Sequence, residues 1–303
     1  MGRVRLDLLQ RSTNQIGHLR VTLRSGECVP VVLKRYLPES KDVSNVKEIL
    51  LYRDLLHGQR FGAPAFYGSV YDDRRRRYFL FLEDVGDMTL KHGDLEDWLA
   101  AIEWLADMHG EYLGREKELR GLGILNEQGA DGFASLASGA RLNLAAGARA
   151  EAVQRFDRLM LGFGRIVAGL QDRPRTLVHG DIFPYNIALQ KGPRVRPIDW
   201  EDAAIGWAEW DLTQLVAGWD ADAQETMICR YLDLLSKRTS HEIDAADFRS
   251  ALHGCQVLQI LRYFSWDVEQ CRNESAVNAL LDEMQGALDG APSGGSAALH
   301  CGG

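Results

Sequence analysis

The sequence has no apolar run long enough to cross a bilayer; the best stretch, Leu159 to Leu170, is short and interrupted by Arg165. Its first ten residues, MGRVRLDLLQ, lack the apolar core of a secretory signal and have no Ser or Thr at position 6 for a myristoylation signal. Cysteine is scarce: Cys28, Cys229, Cys255, Cys271 and Cys301 are odd in number and irregular in spacing, with no CxxC pair. That argues against a disulfide framework or a structural zinc site and leads to the expectation of a protein working in a reducing cytoplasm. Also missing are GxxxxGK(S/T), GxSxG, HExxH and GxGxxG, so P-loop, α/β-hydrolase, zincin and Rossmann readings have nothing to rest on.

What is present is an ordinary globular composition, 46% hydrophobic and 26% charged over 303 residues, which excludes wholesale disorder, collagen and coiled coil. The length suits two domains or one large two-lobed unit. The net charge of −8 is unevenly spread. Residues 1–87 hold 15 Lys+Arg against 11 Asp+Glu, and the rest hold 20 against 32. An acidic second part argues against nucleic acid as a partner and leaves room for a cationic ligand, although solvated helix faces would give the same excess.

Residues 27–36 (ECVPVVLKRY) and 78–85 (YFLFLEDV) read as strands, with a helix from Ser44 to about Leu56 between them. The run Asp72 to Arg77 (DDRRRR) reads as a hairpin turn. From Asp94 the period changes: Leu95, Trp98, Leu99, Ile102, Leu105 and Ala106 follow helical spacing up to Gly110. Residues 121–150 read as loop with a short helix, Ala150 to Leu170 as one helix, and 210–288 as three or four more. The expected architecture is α+β: a mixed five-stranded sheet with one helix over residues 1–86, a mainly helical lobe over 87–290, and a disordered tail, 291–303 (APSGGSAALHCGG).

The chemistry concentrates in residues 176–201, TLVHGDIFPYNIALQKGPRVRPIDWE. Asn186 follows Asp181 by five residues and Asp199 follows Asn186 by thirteen, on a strand–loop–strand pattern that delivers all three to one end of a hairpin. Phosphoryl transfer needs such a set: a carboxylate to orient the attacking hydroxyl and take its proton, and an Asn and an Asp to hold magnesium against the nucleotide phosphates. Upstream, Lys34 shares a strand face with Val32 and Tyr36, and Glu48 heads a helical stripe of Leu51, Tyr52 and Leu55. Each charge on an apolar face needs a neutralising partner, and pairing them with each other satisfies both.

With these segments in order, VVLK (Lys34), KEILLY (Glu48), LEDV (Leu82–Val85), HGDIFPYN (179–186) and IDWEDAAIGWAEWDL (198–212), the chain resembles the aminoglycoside phosphotransferase and choline kinase superfamily, small-molecule kinases with the protein-kinase fold. The resemblance spans about residues 10 to 220. It implies a two-lobed kinase-like α+β fold, with Asp181 as catalytic base and Asn186 and Asp199 as Mg2+ ligands. Lys34 would contact the ATP phosphates and Glu48 would position it, while the backbone of Glu83 and Val85 would take the adenine edge. His179 and Asp211 would be architectural.

Three features separate this chain from protein kinases or from its own relatives. The turn Arg11–Gly17 (RSTNQIG) holds one glycine, position 185 is Tyr where a small residue is frequent, and HGD stands without a following APE segment, which disfavours protein substrates. For the acceptor, Glu201, Trp207, Asp220 and Trp266 are the candidates. Carboxylates suit a polyamine sugar and aromatics suit a quaternary ammonium group, although these aromatics at helical spacing also read as core. The expected activity is ATP-dependent phosphorylation of a hydroxyl on a small cationic molecule, aminoglycoside-like. The alternatives are a choline, amino-alcohol or other metabolite kinase, and a non-catalytic nucleotide-binding module, with no membrane or nucleic-acid partner.

Overall fold

The computed structural model describes residues 4–10, 15–36, 44–72, 74–190, 194–239 and 243–290. The tail 291–303, part of the Arg11–Gly17 turn and Asp73 of the arginine-rich turn lie outside the described residues. Strands β1 (Val4–Gln10), β2 (Gln15–Thr22), β3 (Cys28–Tyr36), β4 (Phe66–Asp72) and β5 (Arg77–Glu83) form one sheet in the order β1-β2-β3-β5-β4, with helix α1 (Ser44–Asp54) between β3 and β4. All four strand pairs are antiparallel, a correction to the mixed sheet expected from the sequence. The reason is topological. The crossover through α1 returns the chain in the direction of β3, but β5 inserts between β3 and β4, so no parallel neighbours arise.

The remainder is mainly helical: α2 (Leu95–Tyr112), α3 (Glu116–Gly121), α4 (Ala130–Gly147), α5 (Ala150–Leu159), α6 (Phe163–Gln171), α7 (Ala208–Val216), α8 (Ala221–Thr239), α9 (Ala245–Trp266) and α10 (Glu274–Asp289). Short strands β6 (Asn126–Glu127), β7 (Thr176–Val178) and β10 (Ala204–Gly206) form a three-stranded sheet, and β8 (Ile187–Gln190) pairs with β9 (Arg194–Pro197). Among the described residues no helix is long and apolar enough to cross a membrane.

Helix α2 starts at a capping box, Asp94 accepting from Asp97 N–H while the Asp97 carboxylate accepts from Asp94 N–H. It buries Trp98, Ile102, Leu105 and Tyr112, and runs past Gly110, where the sequence suggests a stop. The glycine is there for packing: a Cβ at Gly110 would lie 2.9 Å from Cβ of Arg238 on α8. Residues 130–147, read as loop with a short helix, form the full-length α4, because alanine favours helix and α4 packs along α9. The helix expected over Ala150–Leu170 is split at Met160–Gly162 into α5 and α6.

Two apolar clusters hold this together. One runs continuously from the small lobe (Leu51, Tyr52, Leu80) through α2 to Trp200, Leu212 and Tyr231. The other lies among α4, α5, α7, α9 and α10. The first cluster joins the β-sheet to the helices and fixes Lys34 relative to the segment after β9.

Candidate active site

Lys34 lies mid-strand in β3, paired with Ile16 on one side and Leu80 on the other. Its Nζ donates to Glu48 Oε2 (2.7 Å), Asp199 Oδ1 (2.5 Å) and Glu201 Oε2 (3.3 Å). Burial works against the ammonium charge, but Glu48, Asp199 and Glu201 outweigh it and hold the Lys34 pKa well above its usual value. Glu48 is itself buried and fully engaged, Oε2 accepting from Tyr36 O–H (2.5 Å) and Oε1 from Trp200 N–H (3.1 Å). Asp199 has left-handed backbone angles (φ 65°, ψ 63°), a conformation costing about 1–3 kcal/mol in a non-glycine residue and typical of functional turns.

The loop after β7 is tied down by its backbone. Asp211 on α7 accepts from His179 N–H (2.6 Å) and Gly180 N–H (2.9 Å), and Gln214 Oε1 accepts from Ile182 N–H (2.8 Å). His179 is buried and its Nε2 sits 3.0 Å from Ile198 O, linking the loop to the end of β9. Gly180 is required: φ is +85°, and a Cβ would come 2.3 Å from Asp202 O. The result is a rigid platform presenting Asp181, whose Oδ2 accepts from Asn186 Nδ2 (2.9 Å). Burial pushes the Asp181 carboxyl up despite the Arg262 guanidinium beside it.

These residues fit a divalent cation of the magnesium kind. Asn186 turns its amide nitrogen to Asp181, which leaves its amide oxygen available to a cation, and Asp199 offers a carboxylate. Carboxylate oxygens of Glu48, Asp199 and Glu201 also lie within 4.8 Å of one another, a negative excess that one lysine does not neutralise. At the strand-to-helix junction, Glu83 carries its side chain to Arg196 Nη2 (2.5 Å), an ion pair pinning β5 to β9, while its N–H is bonded to Ala65 O (2.9 Å). Val85 is half-buried next to it.

The family model described as phosphotransferase enzyme family matches residues 16–249. The chain belongs to that family. No curated protein sequence matches the phosphotransferase significantly. Solved structures share its fold: a microcompartment-associated aminopropanol kinase (17% identity, TM-score 0.61, covering 94% of this chain and 90% of that one) is one. A Plasmodium vivax ethanolamine kinase is another (12%, 0.60, 94% and 81%). A third is an aminoglycoside 2'-phosphotransferase-IIIa mutant in complex with GDP (12%, 0.63, 94% and 91%).

The four acceptor candidates of this phosphotransferase stand in different surroundings. Glu201 turns to Lys34; burial, with the Asp199 and Glu48 charges added, raises its carboxyl to about 7 against the Lys34 charge. Trp207 is wholly buried, its ring 5.3 Å from Phe133 and 4.9 Å from the Arg175 guanidinium, which removes it from any acceptor wall: an indole at that position fills core. Asp220 accepts from Ala223 N–H at the start of α8 (2.9 Å), and Trp266 is exposed at the end of α9.

Other residues surround Asp181 instead. Arg262 of α9 donates through Nη2 to Asp181 Oδ1 and through Nη1 to Gly180 O (3.0 Å). Phe183, two residues after Asp181, stacks on Tyr185 at 5.7 Å. The sequence carried one signal for Arg262, a lone cation in the apolar stretch Val257–Phe264, where burial demands an acidic partner.

Proposed function

We propose that this phosphotransferase moves the γ-phosphate of ATP to a hydroxyl of a small amino alcohol. The observation that carries the reading is the contact of Lys34 Nζ with both Glu48 and Asp199, with Asp181 and Asn186 hydrogen-bonded beside them. Lys34 holds the phosphates by charge and Glu48 keeps the ammonium in place, while backbone groups of Glu83–Val85 take the adenine edge. Asp181 accepts the proton of the acceptor hydroxyl as its oxygen bonds to the γ-phosphorus; the bond from phosphorus to the β–γ bridging oxygen breaks, and ADP leaves with that electron pair. Asp199 and Asn186 would hold magnesium, which would supply positive charge to offset that of the phosphates.

A monoamine acceptor fits the charges better than the polyamine sugar read from the acidic excess. Asp181 and Asp202 are engaged by Arg262, Glu209 by Arg173, and Glu225 by Arg249, so these four carboxylates already have cationic partners within the chain. Structural neighbours include kinases of aminopropanol and ethanolamine. A non-catalytic role is disfavoured, since Asp181, Asn186 and Asp199 are all present. The reading places the enzyme in the cytoplasm, where its free thiols stay reduced.

The test is ADP release from MgATP with 1-amino-2-propanol, ethanolamine, choline and kanamycin, alongside Asp181→Asn. Turnover with an amine alcohol that falls by about 10²–10⁴ in Asp181→Asn, with ATP affinity retained, is expected. Equal rates in the variant and the wild type would overturn the assignment of the base.

A further inference from the structure

One face of the small-lobe sheet looks into the cleft, and strand register says which side chains stand on it. Residues directly opposite in an antiparallel pair share a face, as do alternate residues along a strand. Lys34 of β3 lies opposite Ile16 of β2 and Leu80 of β5, and it points to Asp199. The next row along the same face is His18, Val32 and Leu82. The β3–β5 ladder carries on to Asp84, whose N–H lies 3.5 Å from Pro30 O, so Asp84 continues the side of Leu80 and Leu82.

His18 Nδ1 is 2.9 Å from Asp84 Oδ2, and because a carboxylate only accepts, the imidazole donates. The contact joins β2 to the residue after β5, so ring and carboxylate meet across β3, over the row that holds Val32. The other oxygen, Oδ1, accepts from Gly86 N–H (3.1 Å) and shapes the chain just past Val85. One carboxylate thus fixes both the ring on the cleft face and the backbone to which the adenine edge is assigned. The His18 side chain is 32% exposed, which leaves the imidazole accessible to a ligand.

We propose that His18 is the nucleobase-stacking residue of the phosphotransferase, and that Asp84 is the positioning residue that holds its ring against the purine. The proposal rests on the phosphotransfer reading above, which puts the phosphates on Lys34 and the adenine edge on the backbone of Glu83–Val85. From Leu80, opposite Lys34, to Asp84 is on the order of 13 Å of extended chain. Ribose and base must span that interval along the same face, and the row they cross is that of His18 and Val32. An aromatic ring stacked on a purine gains affinity without reading the edge of the base, which is left to the backbone after β5. The hydrogen bond at Nδ1 lies in the plane of the imidazole, so holding the ring by Asp84 leaves its face to the purine.

The probes are MgATP and magnesium tripolyphosphate, which carries the phosphates without the base, bound by calorimetry. The proteins are the wild type, His18→Ala, His18→Phe, Asp84→Asn, and His18→Phe combined with Asp84→Asn. His18→Ala is expected to bind MgATP about tenfold more weakly, and His18→Phe to stay within about threefold of the wild type, since a stacking surface returns. Asp84→Asn should weaken MgATP about threefold when His18 is present and leave it unchanged in the His18→Phe background, because the carboxylate acts through the imidazole. Tripolyphosphate affinity should be the same in every protein, which a variant damaged in its fold would not show. MgATP affinity in His18→Ala equal to or tighter than wild type, or an equal loss for tripolyphosphate, overturns the stacking role, while phosphotransfer stands on turnover of 1-amino-2-propanol that still depends on Asp181. MgATP binding that depends on His18, with no phosphate moved to any of the test alcohols, supports the stacking and overturns the phosphotransfer reading instead.

Discussion

Arg262 Nη2 lies 2.8 Å from Oδ1 of Asp181 and 2.9 Å from Oδ2 of Asp202, so one guanidinium from α9 joins the loop before β8 to the turn after β9. With Asn186 on the other carboxylate oxygen, Asp181 is gripped from both sides and its orientation is set before any acceptor arrives.

Replacing Arg262 therefore should affect turnover more than nucleotide binding. Arg262→Ala is expected to lower kcat by about 10–100-fold, with KM for ATP little changed. Arg262→Lys should recover only part, because an ammonium cannot reproduce the planar fork that serves two carboxylates and a carbonyl. Steady-state kinetics alongside thermal melts check this. A kcat that simply tracks loss of folded protein would make the contact structural only.

Lys34 holds three carboxylates apart from mutual repulsion. Lys34→Met leaves Glu48, which is 1% exposed, next to Asp199 and Glu201 without a cation. Breaking a buried pair in this way costs about 3–5 kcal/mol, so the variant should melt earlier and bind MgATP weakly. Denaturant titration gives the first quantity and nucleotide titration the second. A wild-type melting curve would show that the cluster is relieved by protonation instead.

Asp211 is fully buried and its two oxygens accept two backbone N–H groups, with His109 Nε2 3.3 Å away. Asp211→Asn exchanges one acceptor oxygen for a donor, which faces an N–H it cannot satisfy. A loss of about 1–3 kcal/mol is expected, with faster amide exchange at His179 and Gly180. Protection at these amides equal to wild type would contradict it.

Glu283 gives a pH signature. Burial pushes its carboxyl up, the hydrogen bond from Gln256 only partly offsetting this, and Glu225, Arg249 and His253 are the other titratable groups lining the same cavity of about 330 Å³ among α7, α8, α9 and α10. A carboxyl raised in the folded state favours folding when protonated; that contribution is complete below the unfolded value of 4.5 and is lost as pH rises through the folded one. Glu283→Gln should accordingly melt higher than wild type at pH 7–8, and the gap should close below about pH 4.5. A difference in Tm independent of pH would place its origin elsewhere.

The family, the kinase-like α+β fold and the phosphotransferase class were legible because their signals are local. Residues 176–201 carry Asp181, Asn186 and Asp199 on one short hairpin, where covalent spacing alone limits how far apart they can fall. Lys34 and Glu48 could be paired on paper because each is a charge on an apolar face and they lie only fourteen positions apart in sequence. Strand direction in the small lobe was not legible, since insertion of β5 between β3 and β4 is a matter of sheet assembly.

Around Asp181 and Lys34, tertiary structure decided the contacts. Arg262 reaches Asp181 across 81 residues and Lys34 reaches Glu201 across 167, contacts that exist only once α9 and the turn after β9 are packed against the same cleft. The sequence by itself determined which acids and aromatics the helical part contains. It allowed a core reading for the aromatics without singling out Trp207, and it could not say that Asp220 is a helix cap or that Arg262 neutralises Asp202. The physical reason is that a charge or an aromatic ring takes its role from what desolvates and pairs with it, and those partners are brought to it by helix packing rather than by spacing along the chain.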